Sequence, residues 1–133
     1  MPTTKSWPST TFRREASGRF PRVRGWFKDL LDVEILNSTS SEGFDGVLHL
    51  ATLSLVGESV EHPGLYYRTN VCGTLNLLDA MRAARVSRLI FSSTAAVYGQ
   101  PEEVPVEKTF PTRPTNLEDP YGPSKLAADA MIG

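Results

Sequence analysis

The sequence predicts an α/β fold, a parallel sheet flanked by helices, and three observations lead there. A short, nearly continuous apolar run, Val47 to Ala51, has the pattern of a strand buried on both faces, and Val86 to Ser92 reads as a second buried strand. A long helical pattern lies between them, and a Pro-rich loop after the second leads to a further helix. Strand, helix, strand, loop, helix is the order of a parallel sheet, whose neighbouring strands need a long crossover.

Taken in order, residues 1–25 form an irregular basic segment. Residues 1–30 hold seven basic residues against Glu15 and Asp29, a net charge of +5, while the remainder carries seven against thirteen, a net of -6. A basic, Ser/Thr-rich, acid-poor start is also the composition of an organelle transit peptide. Pro2, Pro8, Gly18, Pro21 and Gly25 would interrupt the amphipathic helix such a peptide forms, so a loose surface segment is expected. Phe27, Leu30, Leu31 and Ile35 then fall at helical spacing and predict a short helix over about residues 26–37, ended by the Asn37 to Gly43 cluster.

The crossover helix is expected to start at Pro63, with apolar positions Val71, Leu75 and Leu78, Leu77 and Met81 on the flank, and basic residues from Arg82 to Arg85 in its last turn. The Pro-rich loop spans Pro101 to Pro120, and the last helix begins near Tyr121. His49 reads as a core histidine, His62 as a helix-start residue and Cys72 as a packed, inert thiol. Trp7 and Trp26 have no assigned role.

Composition excludes several function classes. Across 133 residues the net charge is -1, so no global field draws the chain to nucleic acid or anionic lipid. No apolar run approaches the roughly 20 residues of a membrane span, and Met1 to Phe20 lacks the apolar centre of a secretory signal. A cytoplasmic location is expected. The single cysteine cannot close an internal disulfide and has no partner at metal-ligand spacing, so no metal site is expected.

In a parallel α/β sheet ligands bind beyond the carboxyl ends of the strands. Ala51, Thr52, Leu53 and Ser54 stand after the first strand, and the hydroxyls Ser92, Ser93 and Thr94 after the second. Tyr121 and Lys125, four apart at a helix start, project from one helix face. An ammonium beside a phenol favours phenolate, the form that acts as a general base. Thr94, Tyr121 and Lys125 are thus candidates for a proton-transfer triad.

The strings Ser-Ser-Thr-Ala-Ala-Val-Tyr-Gly (92–99) and Tyr-Gly-Pro-Ser-Lys (121–125) resemble the extended short-chain dehydrogenase/reductases that act on nucleotide sugars, also called NAD-dependent epimerase/dehydratases. Within Leu53 to Met81, the Val-Gly-Glu-Ser and Tyr-Tyr-x-x-Asn-Val-x-Gly-Thr-Leu-Asn-Leu-Leu elements resemble the UDP-glucose 4-epimerases. The match runs from about Gly43 to Gly133; before it, Ser9 to Ala16 is similar to the loop after the family's second strand.

That resemblance implies an isomerase of galactose metabolism that interconverts UDP-glucose and UDP-galactose through NAD-dependent oxidation and re-reduction at C4. Tyr121 would take the proton of the sugar 4-hydroxyl, Lys125 would favour the ionised tyrosine and bond the nicotinamide ribose, and Thr94 would hold the sugar oxygen. Leu50, Ala51 and Thr52 would line the dinucleotide, with Ser54 nearby, Asn70 reaching in from the long helix and Ser92 beside the cofactor. The family's dehydratases place an Asp-Glu pair where Ala95 and Ala96 stand, so epimerisation is expected over elimination. Pairing of two copies through the helices near 63–84 and 121–133 is implied as well.

The same comparison implies a partial Rossmann-like NAD-binding domain over residues 26–133, lacking the family's first strands and its substrate lobe. The chain carries no Gly-x-x-Gly-x-x-Gly turn for the pyrophosphate, and Trp26 stands where an acid would meet adenine. Leu117, Glu118 and Asp119 look like an insertion before Pro120. Weak NAD binding, an open sheet edge and impaired turnover are the expectations. The alternative is a non-catalytic remnant or pseudoenzyme that acts at most as a dimerisation partner.

Overall fold

In the computed structural model, which describes residues 29–40, 43–100, 104–112 and 119–133, strand β1 (Val47–His49) pairs in parallel with strand β2 (Leu89–Phe91). The register sets Val47 against Leu89, Leu48 against Ile90 and His49 against Phe91. Backbone bonds from Val47 N–H to the Arg88 carbonyl (2.9 Å) and from Ser92 N–H to the His49 carbonyl (3.2 Å) extend the ladder. Both strands are shorter than the apolar runs suggested, and only one face is covered by the described residues. Because side chains alternate across a strand, Val47, His49 and Leu89 turn to the helices while Leu48 and Ile90 are 60% and 69% exposed. The expectation of burial on both faces is corrected accordingly.

Helix α1 (Val33–Ser40) starts later than the apolar spacing suggested, and runs further. Asp32 sets the start: its carboxylate accepts from Ile35 N–H at 3.0 Å, satisfying a donor that the first turn cannot. Residues 26–28 of the expected helix, the segment 1–25 with its boundary, and Leu117 and Glu118 lie outside the described residues.

The crossover is helical in four pieces, broken at His62, whose φ of -131° and ψ of 58° are not helical. Helix α2 (Val56–Glu61) and the short α3 (Pro63–Tyr66) meet at His62, the residue preceding α3. Then a π-helical segment (Tyr67–Cys72) leads into α4 (Gly73–Ala83). The buried residues of these pieces are Ser59, Tyr66, Asn70, Gly73, Thr74, Leu77, Ala80 and Met81. This corrects the expected face: Leu75 is exposed, Val71 and Leu78 are half-buried, and Cys72 is exposed rather than packed. Polar Asn70 and Thr74 and bare Gly73 occupy the buried column, where an apolar pattern does not register them.

The core sits between α1, α4 and the sheet: Leu30, Leu36, Leu77, Ala80 and Met81, with Val47, Val86 and Leu89 against them. Burial of such side chains contributes about 1.5–3 kcal/mol each. Gly73 lets Leu30 approach, since a Cβ there would lie 3.0 Å from the Leu30 Cβ. Helix α4 ends in a paired reverse turn, with Val86 N–H bonded to the Met81 carbonyl (2.9 Å) and Arg85 N–H to the Arg82 carbonyl (3.1 Å). Arg85 takes the left-handed conformation this turn requires, φ 59°.

After β2 comes a single 3-10 turn (Ala95–Tyr98), then helix α5 (Tyr121–Ile132), which begins where the sequence placed it. Among the described residues no helix is long and apolar enough to cross a membrane.

Candidate active site

The carboxyl ends of both strands open onto the first turn of α5, and three sets of side chains build the site there. The first set holds the loop after β1. Asn70 Oδ1 accepts from Leu53 N–H and from the Thr52 hydroxyl, each at 2.9 Å, while Nδ2 donates to the Leu53 carbonyl (3.1 Å) and Ser124 Oγ (3.0 Å). All four hydrogen-bonding positions of this buried amide are filled by protein. One turn earlier, the Tyr66 hydroxyl accepts from Leu55 N–H at 3.0 Å, with the Leu55 carbonyl (2.7 Å) and Glu58 Oε2 (2.8 Å) as acceptors for its one proton. Burial, then the bond to the Glu58 carboxylate, pushes the Tyr66 phenol up to about 12.

The second set lies beneath. Thr74 Oγ1 donates to the Asn70 carbonyl at 2.6 Å, so at 2.9 Å it accepts from His49 Nε2, which assigns the ring proton to Nε2. Burial, followed by the nearby Lys125 charge, lowers His49 from 6.5 to about 4. His49 is a neutral core histidine with its bond made, as its place in the apolar run implied.

The third set is the α5 end. The Asp119 carboxylate accepts from Tyr121 N–H (3.1 Å) and Gly122 N–H (3.3 Å), starting the helix. Gly122 presses on the 3-10 turn, where a Cβ would lie 2.6 Å from the Ala96 carbonyl oxygen. Tyr121 is half-buried, its ring edge-on to Tyr66 at 6.4 Å between centroids. Lys125 is buried, and its Nζ lies 3.9 Å over the centroid of the Phe91 ring. Burial pulls its ammonium down from 10.5 to about 8, with the Asp129 carboxylate opposing.

Of the other candidates, Thr94 is half-buried and accepts from Ala96 N–H at 3.3 Å, opening the 3-10 turn. Ser92, Leu50, Ala51 and Ser54 are exposed, and Thr52 is half-buried against Asn70. The structure therefore brings both strand ends to α5. Thr94, Tyr121 and Lys125 make no hydrogen bond with one another among the described residues. Residue reasoning passed over Tyr66, Thr74, Phe91 and Ser124; the signal for the first two was the column 66, 70, 74 on one helix face.

Two parallel strands, the second running into Ser92, Ser93 and Thr94, with a Tyr-x-x-x-Lys helix packed on the turn that follows, define a partial Rossmann-like protein of the short-chain dehydrogenase/reductase type. Residues 12–133 match a family model described as GDP-mannose 4,6 dehydratase, and the chain belongs to that family. It is 63% identical over 89 residues to a UDP-glucose 4-epimerase of Streptomyces lividans, covering 67% of this chain and 26% of that protein. To a UDP-glucose 4-epimerase of Corynebacterium glutamicum it is 48% identical over 124 residues, covering 92% of this chain and 36% of that protein. The solved UDP-glucose 4-epimerase of Bifidobacterium longum, in complex with NAD+ and UDP, is similar with a TM-score of 0.73 at 41% identity, over 78% of this chain and 31% of that one. The chain thus spans 26% to 36% of the length of these two curated relatives.

Proposed function

We propose that the chain carries the catalytic residues of a UDP-glucose 4-epimerase, which interconverts UDP-glucose and UDP-galactose. The observation that supports this most is Lys125: a lysine 2% exposed, one helical turn after Tyr121, whose Nζ lies at the end of β2 with no hydrogen-bond acceptor among the described residues and only a small opening to solvent. Tyr121 takes the proton of the sugar 4-hydroxyl, and Lys125 balances the charge of a tyrosine that has lost its own. Thr94 Oγ1 accepts from the backbone and keeps its proton for the same sugar oxygen.

The residues present fit the nicotinamide-ribose end of NAD. A ribose hydroxyl would supply the acceptor that Lys125 lacks, with Ser92 adjoining Phe91 at the strand end. The loop of Leu50, Ala51, Thr52 and Ser54 would border the cofactor, Asn70 shaping that loop from beneath. The chemistry NAD supplies when bound is hydride acceptance and return at C4. Ala95 and Ala96 offer no acid or base to expel water, which favours epimerisation within a family described by a dehydratase.

The test is conversion of UDP-galactose to UDP-glucose by the purified chain with NAD. Product that disappears in Tyr121→Phe supports the reading; no product, or product unaffected by that change, overturns it. A second reading, a non-catalytic chain that pairs with a relative, draws support from exposed Leu48, Leu50 and Ile90 at the sheet and from exposed Tyr67 and Leu75 along the crossover helix. Sedimentation showing association without turnover would favour it, and a monomer would exclude it.

A further inference from the structure

Lys125 is 2% exposed, yet no carboxylate, carbonyl or hydroxyl among the described residues accepts a hydrogen bond from it. Its stem is enclosed and Nζ keeps only a small opening to solvent, since no fully buried polar side-chain atom among the described residues lacks a partner. What it meets is the face of Phe91, with Nζ 3.9 Å from the ring centroid. That ring is itself held: Phe91 lies opposite His49 in the strand register, and their rings are tilted at 48° with centroids 5.2 Å apart. His49 is anchored in turn by its bond to Thr74.

We propose that Phe91 is a positioning residue for Lys125, the negative face of its ring standing in for an acceptor and holding the ammonium at the carboxyl end of β2. The charged and titratable groups nearest Lys125 are Tyr121 and Asp129 on its own helix, one turn before it and one turn after, and His49 on β1. Asp129 accepts from Ser93 Oγ at 3.0 Å, and His49 is neutral. On the other elements packed against α5, Tyr66 is bonded to the Leu55 backbone and Glu58, Tyr98 is half-buried, and Tyr67, Arg68, Cys72, Asp79 and Arg82 are exposed. None of them replaces the ring. The inference rests on the proposed reaction for its purpose, since a held ammonium is what Tyr121 needs there, but its measurement does not.

The ligand-free full chain, labelled with ¹³C at lysine Cε, is titrated by NMR, the Lys125 signal being identified by its loss in Lys125→Arg. Phe91 is replaced site-specifically by 4-fluoro-, 3,5-difluoro- and 3,4,5-trifluorophenylalanine, which keep the ring shape and progressively empty its face of negative charge. The Lys125 midpoint is expected to fall stepwise along the series, by about 0.5–1.5 pH units in total. Phe91→Tyr should hold it near the parent value and Phe91→Leu should lower it at least as far as three fluorines. A constant midpoint along the series, or the same fall with every substitution, overturns the proposal. No NAD or sugar is present, so absence of turnover would count against the epimerase reading alone.

Discussion

Asn70 Nδ2 donates to Ser124 Oγ across 3.0 Å, and Ser124 Oγ donates to the Tyr121 carbonyl at 2.8 Å. The first bond connects the crossover helix to the first turn of the helix bearing Tyr121 and Lys125, and the second carries it on to the Tyr121 backbone within that turn. Through its other amide positions Asn70 also holds the loop after β1, so one side chain sets the spacing of both borders of the candidate site.

Asn70→Leu should therefore cost more than an ordinary buried hydrogen bond. It leaves the Leu53 N–H and carbonyl without their partner, and about 2–4 kcal/mol of stability should be lost in urea denaturation. Asn70→Asp retains both accepted bonds and forfeits both donated ones, and should fall between. Equal stability of Asn70→Leu and the parent would show that the network carries no weight.

The pH dependence has a definite sign. His49 titrates at about 4 in the fold and 6.5 unfolded, so between these values the unfolded chain binds more protons. Stability present above about pH 6.5 is lost as pH falls towards 4, by about 3 kcal/mol in all. In His49→Gln the loss over this window should shrink by most of that amount, as read from melting temperature against pH.

Lys125 acts in the same direction at the alkaline end, titrating at about 8 in the fold against 10.5 unfolded. Its buried ammonium opposes folding at neutral pH and is relieved as pH rises through that window. Lys125→Met should raise neutral-pH stability by about 1–3 kcal/mol while abolishing any epimerase turnover. A destabilised Lys125→Met would mean that Phe91 and Asp129 more than offset the burial cost.

Arg85 closes helix α4 with φ 59°, a conformation that a side chain resists and glycine does not. Arg85→Gly should stabilise the chain by about 0.5–1 kcal/mol, measurable as a higher urea midpoint. It lies away from the candidate site, so any turnover should be unchanged.

Gly122→Ala pushes a methyl group to 2.6 Å from the Ala96 carbonyl oxygen, and backbone must shift to admit it. About 1–3 kcal/mol should be lost. The shift would separate Tyr121 from Thr94, so turnover should fall further than stability does. Parent-like activity in this variant would sever the link between the helix contact and the chemistry.

The parallel strand pair, the crossover helix, the start of α5 and the Tyr121–Lys125 spacing were all legible in the residues, because each depends on short-range periodicity and the local chemistry of helix ends. The inward face of the crossover was not legible. Asn70, Gly73 and Thr74 are buried because backbone and side-chain groups from distant segments satisfy or approach them, which no apolar count detects. Nor could the sequence separate covered from exposed strand faces, since Leu48 and Ile90 are as apolar as Val47 and Leu89 and differ only in what packs on them. The hold of Phe91 on Lys125 is of this second kind: the two lie 34 positions apart in the chain, and only the closing of α5 onto the end of β2 puts the ammonium over the ring.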